Sequence, residues 1–196
     1  MWLVMNLGAG GVPLHVLGIS GSLREASFNT AVLRAAIELA PEDMIIEACD
    51  IRDIPVYDED VRAQGFPDAV RTLRERIAAS DALLLVTPEY NYSIPGVLKN
   101  AIDWASRPPA QPFAGKALAI MGASSGLGGT MRAQYHLRQV AVTLGMHTLN
   151  KPEVFVRSAQ DRIDSEGKLS DEATRKVIAE QLVAFASWTK RLRAQL

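Results

Sequence analysis

The feature that most constrains the fold of this chain is a regular alternation of short apolar runs with amphipathic helical segments. Residues 82–87, with the sequence ALLLVT, form a near-continuous apolar run. Such a run is typical of a central parallel strand that helices cover on both faces. Similar runs predict further strands at residues 14–19, 44–49, 116–122 and, for the last one, either 147–149 or 154–156. Helices are predicted between them at residues 29–40, 68–80, 96–107 and 130–144, with a final helix that Ser170 would cap.

This βα alternation predicts an α/β fold, a doubly wound parallel sheet of about five strands. The chain has 196 residues and no internal repeat, so we expect residues 14–196 to form one domain. Residues 1–13 precede the first strand and are expected to be a loose N-terminal extension. Their apolar stretch is too short for a secretory signal or a membrane span. Residues 51–65 are expected to form a polar loop.

Three loops leave the carboxyl ends of the predicted strands, at residues 20–27, 88–95 and 123–129. Right-handed crossovers place such loops at one edge of a parallel sheet. Ligands bind at that edge, near the point where the strand order reverses. We therefore expect the three loops to build one binding site.

The first loop, with the sequence SGSLREAS, combines small hydroxyl residues with the start of a helix. Backbone N–H groups, hydroxyls and the positive end of a helix dipole would meet at one point, which suits a phosphate dianion. Neither a P-loop nor a dinucleotide fingerprint occurs, so a monophosphate is favoured. The predicted phosphate ligands are Ser20, Ser22, Arg24, Ser27 and Asn29. Alternatively, Ser27 or Asn29 could simply cap the helix, and Arg24 could be a solvated surface charge.

The second loop, PEYNYSIP at residues 88–95, carries amide, carboxylate and phenol groups beside exposed backbone N–H groups. Such a loop can hydrogen-bond the edge of a flat heterocycle, and a proline at each end stiffens it. The alternative is a rigid surface turn whose tyrosines pack against a neighbouring element.

Charge and residue usage argue against several other functions. The formal net charge of −1 lacks the basic footprint of a nucleic-acid-binding protein. His15, His136 and His147 lie in separate predicted elements, and their spacing matches no zinc site. Cys49 is the single cysteine, which excludes an intrachain disulfide and favours a cytoplasmic location. Because Cys49 lies in a predicted strand, we expect it to be a small buried apolar residue.

In combination, these motifs resemble the NAD(P)H-dependent FMN reductase family. Within that family, the bacterial quinone reductases that are also described as chromate reductases are the most similar. The resemblance covers roughly residues 14–153. It rests on GSLR at 21–24 with Ser27 and Asn29, PEYNYSIP at 88–95, LKNAIDW at 98–104, SSG at 124–126 and QYHLRQ at 134–139.

The resemblance implies a flavodoxin-like fold with strand order 2-1-3-4-5 and FMN bound without a covalent link. The first loop would then hold the phosphate, and the second would contact the isoalloxazine ring largely through backbone N–H groups. The third loop would close the other side of the ring. The implied cofactor-binding residues are Ser20, Ser22, Leu23, Arg24, Ser27, Asn29, Pro88, Glu89, Tyr90, Asn91, Tyr92, Ser124, Ser125 and Gly126.

The resemblance further implies that NAD(P)H gives a hydride to flavin N5 and that quinones then take two electrons. Chromate, azo compounds or other oxidants are implied as further acceptors. Because the flavin carries the chemistry, no protein nucleophile or acid–base pair is predicted. A homodimer or homotetramer is also implied, with candidate subunit contacts at Trp104, Arg107, Arg132, Tyr135 and Glu153.

Two other functions remain open from the sequence. A flavodoxin-like electron carrier would use a protein partner, although the near-neutral charge argues against the strongly acidic docking face of such carriers. A phosphate-binding domain of the same fold would bind no flavin. Absorbance of the purified protein and turnover without a partner protein would separate the three functions.

Overall fold

The computed structural model of the chain describes residues 12–194. The predicted loose extension at residues 1–13 therefore lies outside the described residues, apart from Val12 and Pro13. The strands of the described part are β1 (Leu14–Ser20), β2 (Met44–Cys49), β3 (Ala82–Val86), β4 (Ala117–Ala123), β5 (His147–Thr148) and β6 (Val154–Val156). Its α-helices are α1 (Phe28–Glu38), α2 (Glu59–Ala63), α3 (Asp68–Ala79), α4 (Gly96–Ala105), α5 (Met131–Thr143) and α6 (Glu172–Arg193).

The strands form one parallel sheet in the order β2-β1-β3-β4-β5, which confirms the order implied by the family resemblance. The expectation that only one of two segments supplies the last strand was wrong. Both β5 and β6 pair with β4, through Ala117↔His147 and Met121↔Val154. Pro152 lies between them, and a proline cannot donate a ladder hydrogen bond. The last position of the sheet is therefore filled by two short strands in series.

Helices cover both faces of the sheet because alternate residues of the central strands point to opposite sides. Leu84 and Val86 of β3 pack with apolar residues of α1 and α6. Leu83 and Leu85 pack on the other face, with apolar residues of α3, α4 and α5. The fully buried β3 explains the unbroken apolar run that the sequence shows there.

The structure differs from the sequence-based expectation at one additional helix and at the start of the final helix. Helix α2 interrupts the segment that was predicted to be a loop, and it buries none of its residues. The Asp58 side chain stabilises its first turn. Because the helix buries no side chain, the sequence has no apolar pattern there that would indicate a helix. The final helix is capped by Asp171 rather than by Ser170, since the Asp171 carboxylate accepts from the backbone N–H of Thr174 at 2.8 Å. Hydrogen bonds from the Thr174 hydroxyl and, next, from the Thr174 backbone N–H hold the pKa of Asp171 below its usual range.

The carboxyl ends of β1, β3 and β4 lie side by side. Ser20 is in register with Val86, and Val86 with Met121. Two backbone hydrogen bonds continue the alignment beyond the strands, from Gly21 N–H to the Val86 carbonyl and from Thr87 N–H to the Met121 carbonyl. The three predicted site loops therefore start from the same edge of the sheet.

Candidate functional site

The three loops border a single cleft at the carboxyl edge of the sheet. Most of the residues that the sequence predicted for a site lie along it. The cleft is lined by Ser22, Arg24, Ser27, Phe28, Asn29, Pro88, Glu89, Tyr90, Ala123, Ser124 and Ser125.

The first loop places Ser27 at the start of helix α1. The Ser27 hydroxyl oxygen accepts from the backbone N–H groups of Asn29 and Thr30, each at 3.2 Å, so Ser27 caps the helix. A serine oxygen accepts through its lone pairs, and its own O–H therefore remains available as a donor. Ser27 can thus cap α1 and also donate into the cleft. The nearby Ser22 is almost fully buried, and its hydroxyl oxygen accepts weakly from Arg24 N–H at 3.4 Å.

Asn29 ties the first loop to the third. Its side-chain Nδ2 donates to the Ala123 carbonyl at 3.0 Å, and its Oδ1 accepts from Ala123 N–H at 2.9 Å. Both contacts are buried, and they join the start of α1 to the end of β4. Asn29 therefore sets the spacing of two walls of the cleft.

We expect Asn29→Ala to lower the free energy of unfolding by about 1–2 kcal/mol, because the two backbone groups of Ala123 lose their partner. Both groups are buried, so losing their partner costs more than losing an exposed hydrogen bond. Urea unfolding measures the change. The exposed Asn150 is the matched control, and Asn150→Ala should change stability by less than about 0.5 kcal/mol. An equal loss for both variants would contradict the bridging role of Asn29.

Arg24 supplies the positive charge at the first loop. Its guanidinium carbon lies 5.8 Å from the centre of the Phe28 ring, a loose cation–π contact. Among residues 12–194, Arg24 forms no ion pair with a carboxylate, in contrast to Arg132 and Arg162. Its charge is therefore available to an anionic ligand in the cleft.

The second loop uses Glu89 to cap a distant helix. The Glu89 Oε2 accepts from the backbone N–H groups of Arg132 at 2.9 Å and Ala133 at 3.2 Å, in the first turn of α5. The Glu89 Oε1 pairs with Arg132 Nη1 at 2.9 Å. Thr130, the residue at the helix start, makes no side-chain cap of its own. Glu89 thus borders the cleft with its negative charge already compensated.

The next four residues form a tight turn, Tyr90 to Ser93. The two end residues exchange hydrogen bonds, from Tyr90 N–H to the Ser93 carbonyl and from Ser93 N–H to the Tyr90 carbonyl. The two central residues have positive φ, 50° for Asn91 and 63° for Tyr92, which defines a type I′ turn. Asparagine tolerates this conformation, but a tyrosine there costs about 1–3 kcal/mol. Strain of this kind is typical of functional turns.

The third loop is fixed by hydrogen bonds to the end of β6 and to the segment that follows it. The backbone N–H of Ser124 donates to the Val156 carbonyl, and Ala159 N–H donates back to the Ser124 carbonyl. The Ser124 hydroxyl donates to the Gly129 carbonyl at 2.6 Å, which closes the loop on itself. This leaves Ser124 at the cleft wall with its backbone fixed, and Ser125 lines the cleft beside it.

Some predicted site residues do not line the cleft. Ser20 lies one step behind it, where its hydroxyl pairs with that of Thr30 at 3.1 Å. Asn91 and Tyr92 lie at the tip of the turn, and Tyr92 is 67% exposed. The full set of predicted residues outside the cleft lining is Ser20, Leu23, Asn91, Tyr92 and Gly126.

Sequence reasoning missed two cleft residues, Phe28 and Ala123. Phe28 lies between two residues that were selected, and Ala123 ends the strand that precedes the third loop, so both positions carried a usable signal. It also missed the cleft-side role of α5. Arg132 and His136 contact the second loop, but no local pattern links residues that are more than forty positions apart.

The remaining candidate residues have ordinary surroundings. Cys49 is buried, as predicted, and burial raises the pKa of its thiol. Trp104 was expected in the core or at a subunit contact, and it lies in the core, since it is fully buried and donates to the Pro55 carbonyl within the chain. Among residues 12–194, no cluster of His, Cys, Asp or Glu side chains could hold a metal ion. Within the same residues, every helix is too short or too polar to cross a membrane.

Comparison with known proteins adds a family to this geometry. Residues 14–161 match the family described as NADPH-dependent FMN reductase. The chain is 61% identical over 180 residues to an NAD(P)H-dependent FMN reductase of Pseudomonas aeruginosa, which covers 92% of this chain and 97% of that relative. It is 45% identical over 183 residues to a quinone reductase of Escherichia coli, with 92% and 97% covered.

A solved structure agrees with these sequence relatives. FerB from Paracoccus denitrificans, described as a flavoenzyme NAD(P)H:(acceptor) oxidoreductase, superposes with a TM-score of 0.83 at 35% identity. The superposition covers 91% of this chain and 98% of that chain. The fold, the cleft at the strand ends and the matched residues lead to one conclusion: this chain belongs to the NADPH-dependent FMN reductase family.

Proposed function

We propose that this chain binds FMN non-covalently in the cleft between the three loops and uses NAD(P)H to reduce quinones by two electrons. The observation that carries the proposal is the charge arrangement of the cleft. Among residues 12–194, it combines a cation at Arg24 that has no carboxylate partner with the capping hydroxyl of Ser27, while the one carboxylate that lines it, Glu89, is neutralised by Arg132 and α5. Such a site accepts a dianion at one end and a flat, largely uncharged ring at the other.

The phosphate end fits the first loop. The Ser27 O–H is free to donate because the oxygen's lone pairs hold the backbone of α1. The Ser22 hydroxyl, the start of α1 and Arg24 lie beside it. Hydroxyl donors, a helix N-terminus and a guanidinium together are a suitable donor set for a phosphomonoester. In this proposal Ser20 and Leu23 support the loop from behind, and Asn29 sets its position.

The ring end fits the second and third loops. Pro88, Glu89 and Tyr90 form one wall, and Ser124 and Ser125 form the other. The Glu89 carboxylate is occupied by α5, so this wall offers backbone groups to the ring edge. The adjoining residues at the turn tip and in the third loop, Asn91, Tyr92 and Gly126, would fix these walls.

FMN, when bound, supplies the electron chemistry, since it takes a hydride from NAD(P)H and passes two electrons to an acceptor. The protein then has to orient the ring, leave one face open and stabilise negative charge at the ring edge with preorganised N–H donors. The backbone of the tight turn can do this without a titrating side chain. We therefore propose no acid–base residue for this chain.

Quinones are proposed as acceptors because a quinone reductase of Escherichia coli and a 2-hydroxy-1,4-benzoquinone reductase of Burkholderia are similar to this chain over nine-tenths of its length. An open ring face would also admit chromate and azo compounds, which we propose only as further acceptors. A cytoplasmic location is part of the proposal, supported by the chain having a single cysteine, Cys49, which is free and buried.

A homodimer or homotetramer is proposed as well. Tyr135 is an exposed candidate for a subunit contact, and its hydroxyl donates to the partly buried Glu153 carboxylate at 3.0 Å within the chain. Hydrogen bonds from Lys151 and Tyr135 hold the pKa of Glu153 below its usual range. Arg107 and Arg132 make their polar contacts within the chain. Sedimentation as a monomer at micromolar concentration would contradict an oligomer.

The proposed function predicts that the FMN-loaded protein oxidises NADPH or NADH with benzoquinone and no partner protein. Turnover should follow the content of bound flavin and disappear in flavin-free protein, because the cofactor and not a side chain carries out hydride transfer. Absorbance of the purified protein and steady-state NAD(P)H oxidation are the measurements. Flavin binding without turnover would favour an electron carrier, and failure to bind flavin would favour a non-flavin phosphate-binding domain.

A further inference from the structure

The Tyr90–Ser93 turn is held in place from outside by one face of helix α5. A type I′ turn is most stable with glycine or asparagine at its central positions, and Tyr92 is neither. Two side chains of α5 contact the turn and its flank, Arg132 and His136. These residues are four positions apart, so they lie on the same face of the helix.

Arg132 makes the more extensive of these contacts. Its Nη1 pairs with Glu89 Oε1 at 2.9 Å, directly before the turn. Its guanidinium carbon lies 3.9 Å from the centre of the Tyr92 ring, within the turn. The Glu89 side chain is only 9% exposed, and it also binds the backbone of α5. The planar guanidinium is therefore fixed on one side by Glu89 and covered on the other by Tyr92.

His136 adds a second, weaker tie at the far end of the turn. Its Nδ1 lies 3.0 Å from the Ser93 hydroxyl oxygen. The turn is thus attached to α5 both before and after its strained centre. Of these two α5 side chains, Arg132 is the one that contacts the strained residue Tyr92, so its loss should release the turn.

We propose that Arg132 is a positioning residue that holds Tyr92 in its left-handed conformation and so keeps the turn at the ring side of the cofactor cleft. This inference rests on the proposed function, because it assigns the turn to the flavin ring and not to the phosphate. It has two consequences. The turn should open more readily without Arg132, and the affinity for the ring should fall while the affinity for the phosphate is kept.

The first consequence is tested without any cofactor. Amide hydrogen exchange of Tyr90 and Ser93 is measured by NMR in the flavin-free protein, since these two N–H groups close the turn. Arg132→Ala should make both amides exchange about tenfold faster. Arg138→Ala removes an arginine from the same helix that contacts Asn150 and Glu153, and it should leave both rates unchanged. Unchanged rates in Arg132→Ala would overturn the proposal.

The second consequence is tested by comparing FMN with riboflavin, which carries the same ring and no phosphate. Arg132→Ala should weaken the binding of both by the same factor, about tenfold. Arg132→Lys keeps the charge but loses the planar stacking on Tyr92, so an intermediate loss is expected, and this variant guards against misfolding of the first. Flavin fluorescence titration gives the dissociation constants.

Two results would separate the possible failures. If the unsubstituted protein binds FMN but Arg132→Ala weakens FMN alone and spares riboflavin, Arg132 serves the phosphate end and the positioning role is overturned. If the unsubstituted protein binds neither flavin, the proposed function itself is overturned, and the inference with it.

Discussion

Replacing Gly122 with alanine is expected to lower the free energy of unfolding by about 3 kcal/mol. Gly122 lies near the end of β4, and a Cβ atom there would meet Thr130 Oγ1 at 2.0 Å and the Thr87 carbonyl oxygen at 2.2 Å. Both threonines are fully buried, and the carbonyl is backbone, so neither neighbour can move aside cheaply. The added methyl group must therefore push apart two segments that border the cleft.

The loss should also reach the cofactor, because Thr87 directly precedes the second loop and Thr130 directly precedes α5. Thermal unfolding should show a fall in Tm of about 6–12 °C, and FMN affinity should fall in the same variant. Gly96→Ala is the matched control, since no atom in the described part of the chain lies within 4 Å of a Cβ atom at Gly96. Alanine there, at the first residue of α4, should leave stability unchanged or slightly raised. Equal stability of the two variants would contradict the close packing at Gly122.

Replacing Arg24 with alanine is expected to weaken FMN binding by about 1.5–3 kcal/mol, which is roughly a 10- to 150-fold rise in Kd. The reason is the loss of a charge-assisted contact to the phosphate from the one cleft arginine without a carboxylate partner among the described residues. Riboflavin has no phosphate, so its affinity should change little. Protein stability should also be nearly unchanged, because Arg24 is exposed.

Arg34→Ala provides the control for net charge, since Arg34 is exposed on helix α1, which follows the loop of Arg24, and does not line the cleft. It should leave both flavin affinities within about twofold of the original values. Ser22→Asp should weaken FMN binding more than Arg24→Ala does, because a carboxylate would face the phosphate dianion. Unchanged FMN affinity in Arg24→Ala would mean that the Arg24 side chain faces solvent and does not contact the phosphate.

The fold could largely be predicted from the sequence because its signals are local. The apolar run of β3 exists because the strand is covered on both faces, and the helices carry apolar residues at helical spacing. Helix α2 could not be predicted, since it buries no side chain and so leaves no apolar pattern. The choice between Ser170 and Asp171 as a cap also lay beyond the sequence, because both residue types cap helices well.

The position of the candidate site followed from topology, but the roles of its residues did not. Asn29 was selected as a phosphate ligand, whereas its amide is used to join α1 to Ala123, which is 94 residues further along the chain. Glu89 was selected for the ring, whereas its carboxylate caps α5, more than forty residues away. A side chain with a distant backbone partner has no local signature, and a motif alone cannot distinguish it from a ligand-binding group.

The division of the last sheet position between β5 and β6 affects how copies of this protein meet one another. A long, uninterrupted outer strand presents a row of free N–H and C=O groups to which a strand of another copy can add. Here the row is broken into pieces of two and three residues, with Pro152 between them. This edge of the sheet should resist edge-to-edge pairing with other copies at high protein concentration. Replacing β5, Pro152 and β6 by one continuous strand would make the protein more prone to aggregate.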